Sequence, residues 1–310
     1  MPPMQTPTHS HTPTPPLETL IVEAPHQDRE WIESVLEALP TTGYACWTPV
    51  DANQNRHEAY FHDADDADRA YNALNLQRLA QPEPTTWTLT RCALTETDWA
   101  NAWKAHFKIE KVSPRIVIRP EWETYTPAES EMVIRIDPGM SFGTGRHETT
   151  RSCLRMLDTW TAQGNTGSFL DLGCGSGILA IAAALLGLRP IAALDYDPDA
   201  IQGAIENIAR NALAAIIQPF IGDVSNLQLH QRYDLVAANI LAPLLIEHAH
   251  SIAATVNPGG QLILSGILTR QYPDVRATYE TLHFQQQETI EDGEWTTGLM
   301  VLPEVFLQQE

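Results

Sequence analysis

Gly173, Gly175 and Gly177 stand in a DLGCGSG run, and Asp195 follows the first of them by twenty-two positions. Glycines at this spacing turn a chain tightly off a strand end and leave main chain, with no Cβ, against a ligand. A carboxylate at the end of the next strand accepts hydrogen bonds from both hydroxyls of a ribose. The chemistry these residues support is nucleoside recognition. The run reads GxGxG followed directly by Ile178, Leu179 and Ala180, not the GxGxxG that brings a helix N-terminus to a pyrophosphate. That departure points to a nucleoside without phosphates, of which S-adenosylmethionine is the common one.

Other residues join this set. Asn239 closes the apolar run YDLVAAN, where it would project at the carboxyl edge of a parallel sheet and meet a ligand. Asp223 follows a short strand at 220–222 and is placed to bond an adenine amine. The loop at 137–150, DPGMSFGTGRHETT, reads as a lid over the cofactor, with Phe142 as its apolar cover and Thr149 or Thr150 donating from the start of a helix. His147 has the chemistry of a general base or a metal ligand, yet no second His or Cys stands at ligand spacing, so no metal is expected. Cys174 lies inside the glycine run with no nearby His to activate it, and reads as a small buried residue. Four cysteines, at 46, 92, 153 and 174, form neither a metal pattern nor a disulfide framework, which fits a reducing cytoplasm.

Stretches of alternating type must position these residues. Residues 168–197 read as one βαβ unit. A helix at 198–213, a strand at 233–241, a helix at 243–256 turned by Gly259 and Gly260, a strand at 261–268 and a β-hairpin at 284–302 follow. Ahead of them come strands at 116–118 and 132–136, and a helix after Thr150 with Cys153, Leu157 and Trp160 on one side. This order describes an open, doubly wound α/β sheet, Rossmann-like, with an antiparallel C-terminal hairpin. Residues 17–93 read βαββαβ, with strands at 17–24, 44–50, 57–62 and 85–93 and helices at 27–39 and 64–79. The second helix presents Tyr71, Leu74 and Leu79 as its apolar face. This is a small ferredoxin-like α+β domain. Residues 94–108 form a linker helix, with Trp99, Trp103 and Phe107 on one face, a Thr95/Asp98 capping box and a solvated Lys104. Residues 109–310 make the cofactor domain. The first sixteen residues, rich in Pro and Thr, have neither the basic start nor the apolar core of a signal or transit peptide and read as a disordered tail.

At 310 residues the chain has room for two cores, and no run approaches the roughly 18 apolar residues of a membrane span. A formal net charge of −20 opposes direct binding of nucleic acid, which relies on Lys and Arg to neutralise phosphates. It suits a basic partner, or serves solubility alone. Through Cys92, thirteen Asp and Glu face five Lys and Arg with no catalytic constellation among them, so the first domain reads as a docking module or as a merely solvated acidic surface.

Six stretches, DWANAWKAHF, DPGMSFGTGRHETT, DLGCGSGILAIAA, ALDYDPDAI, ANILAPLL and LSGIL, occur in this order between residues 98 and 302. Together they resemble the ribosomal protein L-eleven methyltransferases (PrmA), class I enzymes dependent on S-adenosylmethionine. The resemblance implies methylation of lysine and N-terminal amines of a basic large-subunit ribosomal protein, to the trimethyl state. It implies that 17–93 grip that protein and that the helix near 95–107 is a hinge. It places cofactor contacts on Thr150, Gly173, Asp195 and Asn239, to which the residues themselves add Gly175 and Asp223. Asn239 would orient the amine while Phe142 excludes water. Departures are Ile109 where the family commonly has proline, Met140 where Ala or Leu is commoner, and the added N-terminal tail. The expected protein is a cytoplasmic monomer that touches neither nucleic acid nor membrane. Competing readings are a class I methyltransferase for another protein or a small molecule, and a non-catalytic binding module of the same fold. NILA at 239–242 stands where glutamine methyltransferases carry NPPY.

Overall fold

The computed structural model describes residues 17–25, 28, 32, 36, 43–47, 54–61, 63–80, 87–94, 108–136, 147–227 and 231–304. The chain divides into two compact units, Met1–His106 and Phe107–Glu310. Among the described residues no helix is long and apolar enough to cross a membrane.

In the first unit, β1 (Leu17–Pro25), β2 (Gly43–Trp47), β3 (Gln54–Phe61) and β4 (Thr88–Leu94) form one antiparallel sheet in the order β2-β3-β1-β4. The pairing sets Leu20 opposite Ala59 and Arg91. Leu20, Val22 and Ala24 alternate into a core with Ala59, Phe61, Ile32, Leu36 and Trp87, the period of two that a half-buried strand requires. Helix α1 (Ala64–Ala80) covers them with Ala67, Ala70 and Leu74. The apolar face of α1 differs from the expected one. Tyr71 packs against this core and Leu74 is buried in it, but Leu79 is 69% exposed. Small alanines let this helix lie close to the sheet, so its buried stripe ends one turn earlier than the large residues suggest. The strand expected at 57–62 begins at Gln54. Of the first expected helix only Asp28, Ile32 and Leu36 are described, and the linker helix at 95–107 lies outside the described residues.

The second unit is built on a seven-stranded sheet. Its strands are β8 (Phe169–Leu172), β9 (Ile191–Asp195), β10 (Ile217–Ile221), β11 (Tyr233–Asn239), β12 (Val256–Leu268), β13 (Gln285–Asp292) and β14 (Trp295–Val301). They run in the order β10-β9-β8-β11-β12-β14-β13. The first five are parallel, and β14 inserts antiparallel between β12 and β13. The chain winds outward from β8 to β10, then returns to β11 on the other side of β8. That reversal is a topological switch point, and in open parallel sheets the crevice at the carboxyl ends of strands there is where ligands bind.

Side chains of the central strands alternate between two cores. Phe169, Ile191, Ala193, Leu235 and Ala237 face one, which helices α2 (Glu148–Ala162), α3 (Ile178–Leu185) and α4 (Pro198–Arg210) close. Leu170, Leu172, Ala192, Leu194, Val236 and Ala238 face the other, under α5 (Ala242–Glu247), α6 (Ala249–Ala253) and α7 (Tyr272–Thr281). Burial on both faces explains why these strands read as continuous apolar runs. A smaller sheet, β5 (Glu110–Lys111), β6 (Ile116–Pro120) and β7 (Met132–Ile136), precedes them, with β6 and β7 parallel.

The strand expected at 220–222 is β10, which starts at Ile217 and ends at Ile221, and three further expectations differ from the structure. The helix expected at 243–256 breaks at His248 into α5 and α6, because His248 takes φ −105° and ψ 18°. Gly259 and Gly260 lie within β12 rather than ahead of it. Tyr233 pairs with Val256 and Leu235 with Gln261, so the residues between loop out, and Gly259, at φ 77°, bonds the main chain of Leu302. Residues 269–283, for which the sequence suggested no element, contain α7, whose Tyr272, Val275 and Tyr279 are buried at helical spacing. The hairpin is as expected, closed by Gly293 at φ 62° and Glu294.

Candidate active site

The glycine run links β8 to α3 at the switch point. The amides of Gly173 and Cys174 both donate to the carbonyl of Leu194, each at 2.9 Å, which ties the loop to the end of β9. Gly173 has φ 69°, and a Cβ on it would fall 2.5 Å from Ile240 Cγ2. Gly177 has φ 77° and caps α3; its Cβ would press on Ala204 at 3.2 Å. These two glycines are therefore required by the chain's own packing as well as by any ligand. Cys174 is buried, and that burial raises its thiol pKa far above the usual range, which disfavours the thiolate.

Asp195 ends β9 and is 7% exposed. Its Oδ2 accepts from the amide of Gly175 at 2.9 Å and its Oδ1 from that of Asp197 at 3.1 Å. Each carboxylate oxygen has two lone pairs, so the group retains acceptor capacity for two hydroxyls. Asn239 ends β11, on the other side of β8. Thr150, in the first turn of α2, lies beside it, with Asn239 Nδ2 3.5 Å from Thr150 Oγ1. The structure thus brings Gly173, Gly175 and Asp195 together, and Thr150 with Asn239.

Helix α2 starts where its cap fixes it. His147 is the N-cap, its Nδ1 accepting from the Thr149 amide and lying 2.8 Å from Thr149 Oγ1. The imidazole also meets Trp295 edge to face at 5.0 Å. A capping role accounts for His147. Thr149 is turned into this cap, which leaves Thr150 as the hydroxyl facing Asn239. Asp223 follows β10 and caps a short turn, Val224–Asn226, accepting from the Ser225 amide at 2.8 Å, a bond that holds its pKa below the ordinary value. Phe142 and the rest of 137–146, like Lys104, lie outside the described residues.

Sequence reasoning overlooked Asp171. It sits in mid-strand on β8, flanked in register by Ala193 and Ala237, and faces the first core beneath α3. Its Oδ2 accepts from the Ala180 amide at 3.1 Å, while its Oδ1 is buried with no hydrogen-bond partner. Burial, with a smaller contribution from Asp195, pushes its carboxyl up to about 7. The signal was a carboxylate interrupting the otherwise apolar strand FLDL. Tyr196 and Ile221, 75% and 60% exposed, stand at the ends of neighbouring strands, where Ile221 pairs with Asp195.

A parallel sheet that reverses at β8, an antiparallel strand inserted near its edge, and a glycine turn facing a carboxylate define a class I, S-adenosylmethionine-dependent methyltransferase fold. The chain belongs to the ribosomal protein L11 methyltransferase (PrmA) family, whose model matches residues 26–301. It is similar to the ribosomal protein L11 methyltransferase of Heliobacterium modesticaldum, 45% identical over 209 residues that cover 67% of this chain and 65% of that protein. It is 44% identical to the protein of the same description from Geobacter sp. strain M21, over 64% of this chain and 65% of that one. The matched stretch thus spans slightly less than two thirds of either relative. The crystal structure of a ribosomal protein L11 methylase from Lactobacillus delbrueckii subsp. bulgaricus superposes with a TM-score of 0.58 at 32% identity, covering 64% of this chain and all of that one.

Proposed function

We propose that this chain transfers methyl groups from S-adenosylmethionine to lysine and N-terminal amines of ribosomal protein L11, through to the trimethyl state. The observation that carries this reading is the placement of Asp195 and Asn239 at the carboxyl ends of the two strands flanking β8, with the glycine loop between them.

The chain's groups fit the cofactor. Asp195 accepts from both ribose hydroxyls while keeping its bonds to the Gly175 and Asp197 amides. Tyr196 and Ile221 offer apolar surface to the adenine ring, and Asp223 an acceptor for its amine. Main chain at Gly173 and Gly175, with Thr150 and Asn239 across from it, holds the methionyl end. The bound cofactor supplies the electrophilic methyl group. Asn239, with Thr150 beside it, fixes where the incoming amine stands, Thr150 acting through Asn239, and positioning accounts for most of the rate. A lysine amine has a pKa near 10.4, so the site must favour its neutral form, which desolvation beside a cationic sulfonium does. Phe142 supplies the cover that excludes water. Among the described residues no side chain is arranged as a general base for the amine; His147 is engaged in capping α2.

The acidic N-terminal domain, residues 17–93 of ferredoxin-like type, grips the basic substrate protein, and the linker at 94–108 is the hinge. The chain acts as a cytoplasmic monomer. Labelled-methyl transfer to purified L11, compared with transfer to other basic proteins, tests the reading: preferential labelling of L11 supports it, and equal labelling of all of them, or none, refutes it.

A further inference from the structure

We propose that Ser265 and Gly266, a bulge in β12, are the positioning residues that set Thr150 against Asn239. This rests on the methyl-transfer reading above.

The bulge is plain in the registers. Along the β12 and β14 pair, Leu264 faces Gly298 and Ile267 faces Thr296, so Ser265 and Gly266 together stand opposite Thr297. An extra residue of this kind re-aims the side chains beside it. On its other edge β12 pairs with β11, and there Ser265 is in register with Asn239.

Each bulge residue grips one side of the site. Ser265 is fully buried; its Oγ lies 3.3 Å from the carbonyl oxygen of Thr149 and 2.7 Å from Thr297 Oγ1. The carbonyl can only accept, so Ser265 donates to it and accepts from Thr297, and both bonds are satisfied. The peptide that leads into Thr150 is thereby held from β12. Gly266 has φ 79°, and a Cβ on it would fall 2.5 Å from the carbonyl oxygen of Ile240, 2.9 Å from its carbon and 3.1 Å from its nitrogen. The main chain just after Asn239 therefore lies directly on Gly266. Ile240 in turn puts Cγ2 where a Cβ of Gly173 would be. One two-residue bulge thus registers the helix start that bears Thr150 and the strand end that bears Asn239. Through Ile240 it also registers the first glycine of the cofactor loop.

The test uses the full chain carrying Gly266→Ala or Ser265→Ala, assayed below its melting temperature. Gly266→Ala has no room beside the Ile240 main chain, so Asn239 is displaced. Its kcat falls roughly a hundred-fold, as an ångström of misplacement does, while its affinity for S-adenosylhomocysteine falls less, because Asp195 and Gly175 are held from β9. Ser265→Ala, the gentler change, keeps the fold and lowers kcat about ten-fold, in the range that lost positioning gives. A third comparison separates side chain from main chain. Ile240→Ala, which trims the side chain facing Gly173 and leaves the main chain facing Gly266, does not restore kcat to Gly266→Ala, whose obstruction is backbone.

A readout independent of transfer is the side-chain amide resonance of Asn239, which moves in both bulge variants while the Gly175 amide resonance stays. Folded variants with unchanged kcat, or with Asn239 unmoved, overturn the proposal. Wild-type chain that binds S-adenosylhomocysteine but does not methylate L11 refutes the substrate reading instead, and the Asn239 resonance then decides the bulge alone.

Discussion

The amide of Gly175 donates to Oδ2 of Asp195 across 2.9 Å, joining the loop after β8 to the end of β9 before any ligand arrives. The carboxylate is thus preorganised: its rotamer is fixed by the glycine loop and by the Asp197 amide, and it keeps spare lone pairs for further donors. Ordering it costs a nucleoside little on binding.

On the proposed reading, Asp195→Ala removes the acceptor for both ribose hydroxyls. Hydrogen bonds to a charged group are worth about 1.5–3 kcal/mol each, so the Kd for S-adenosylhomocysteine should rise by at least a hundred-fold. Titration calorimetry reads this directly, and unchanged affinity would remove Asp195 from the site.

Thr150 and Asn239 should act as a unit. Thr150→Ala and Asn239→Ala each lower methyl transfer, and the double variant loses less than the two single effects combined. A coupling of about 0.5–3 kcal/mol is the range for side chains in contact. Strict additivity in kcat/KM would show that the 3.5 Å approach of the two side chains has no functional consequence.

Asp171 sets a pH dependence of stability. Its carboxyl is raised from 3.8 to about 7 in the folded chain, so between those values the native state keeps a proton that the unfolded chain has released. Stability from this group is greatest at the acid end, falls as pH rises through the window, and is fully lost above about 7. Asp171→Asn should therefore have a Tm that declines less than wild type between pH 4 and 8. Parallel Tm profiles would contradict the raised value.

Removing residues 1–93 should leave S-adenosylhomocysteine binding intact, because among the described residues the two large cores of the second unit contain only residues from Val112 onward. Preference for L11 over other basic proteins should vanish. A truncated chain that still selects L11 would assign recognition to the second unit.

That glycines at 173, 175 and 177, an aspartate at 195 and an asparagine closing YDLVAAN stand at the carboxyl ends of neighbouring strands was legible because local order carries it: each sits at the end of an apolar run, and a run's end is a strand's end. The doubly wound sheet followed from the same alternation, and the hairpin from its two alternating strands. Helix α7 was not legible, since only Tyr272, Val275 and Tyr279 of its ten residues are buried. Nor was the break at His248, which depends on a single backbone conformation. What the tertiary structure alone decided is contact between distant segments. That Gly173 and Gly266 both receive Ile240, that Ser265 holds the carbonyl of Thr149, and that Asp171 is enclosed between Ala193 and Ala237 all depend on strand register. Register is set when whole strands pair and both faces of the sheet are buried together, a cooperative outcome that no stretch of sequence encodes by itself.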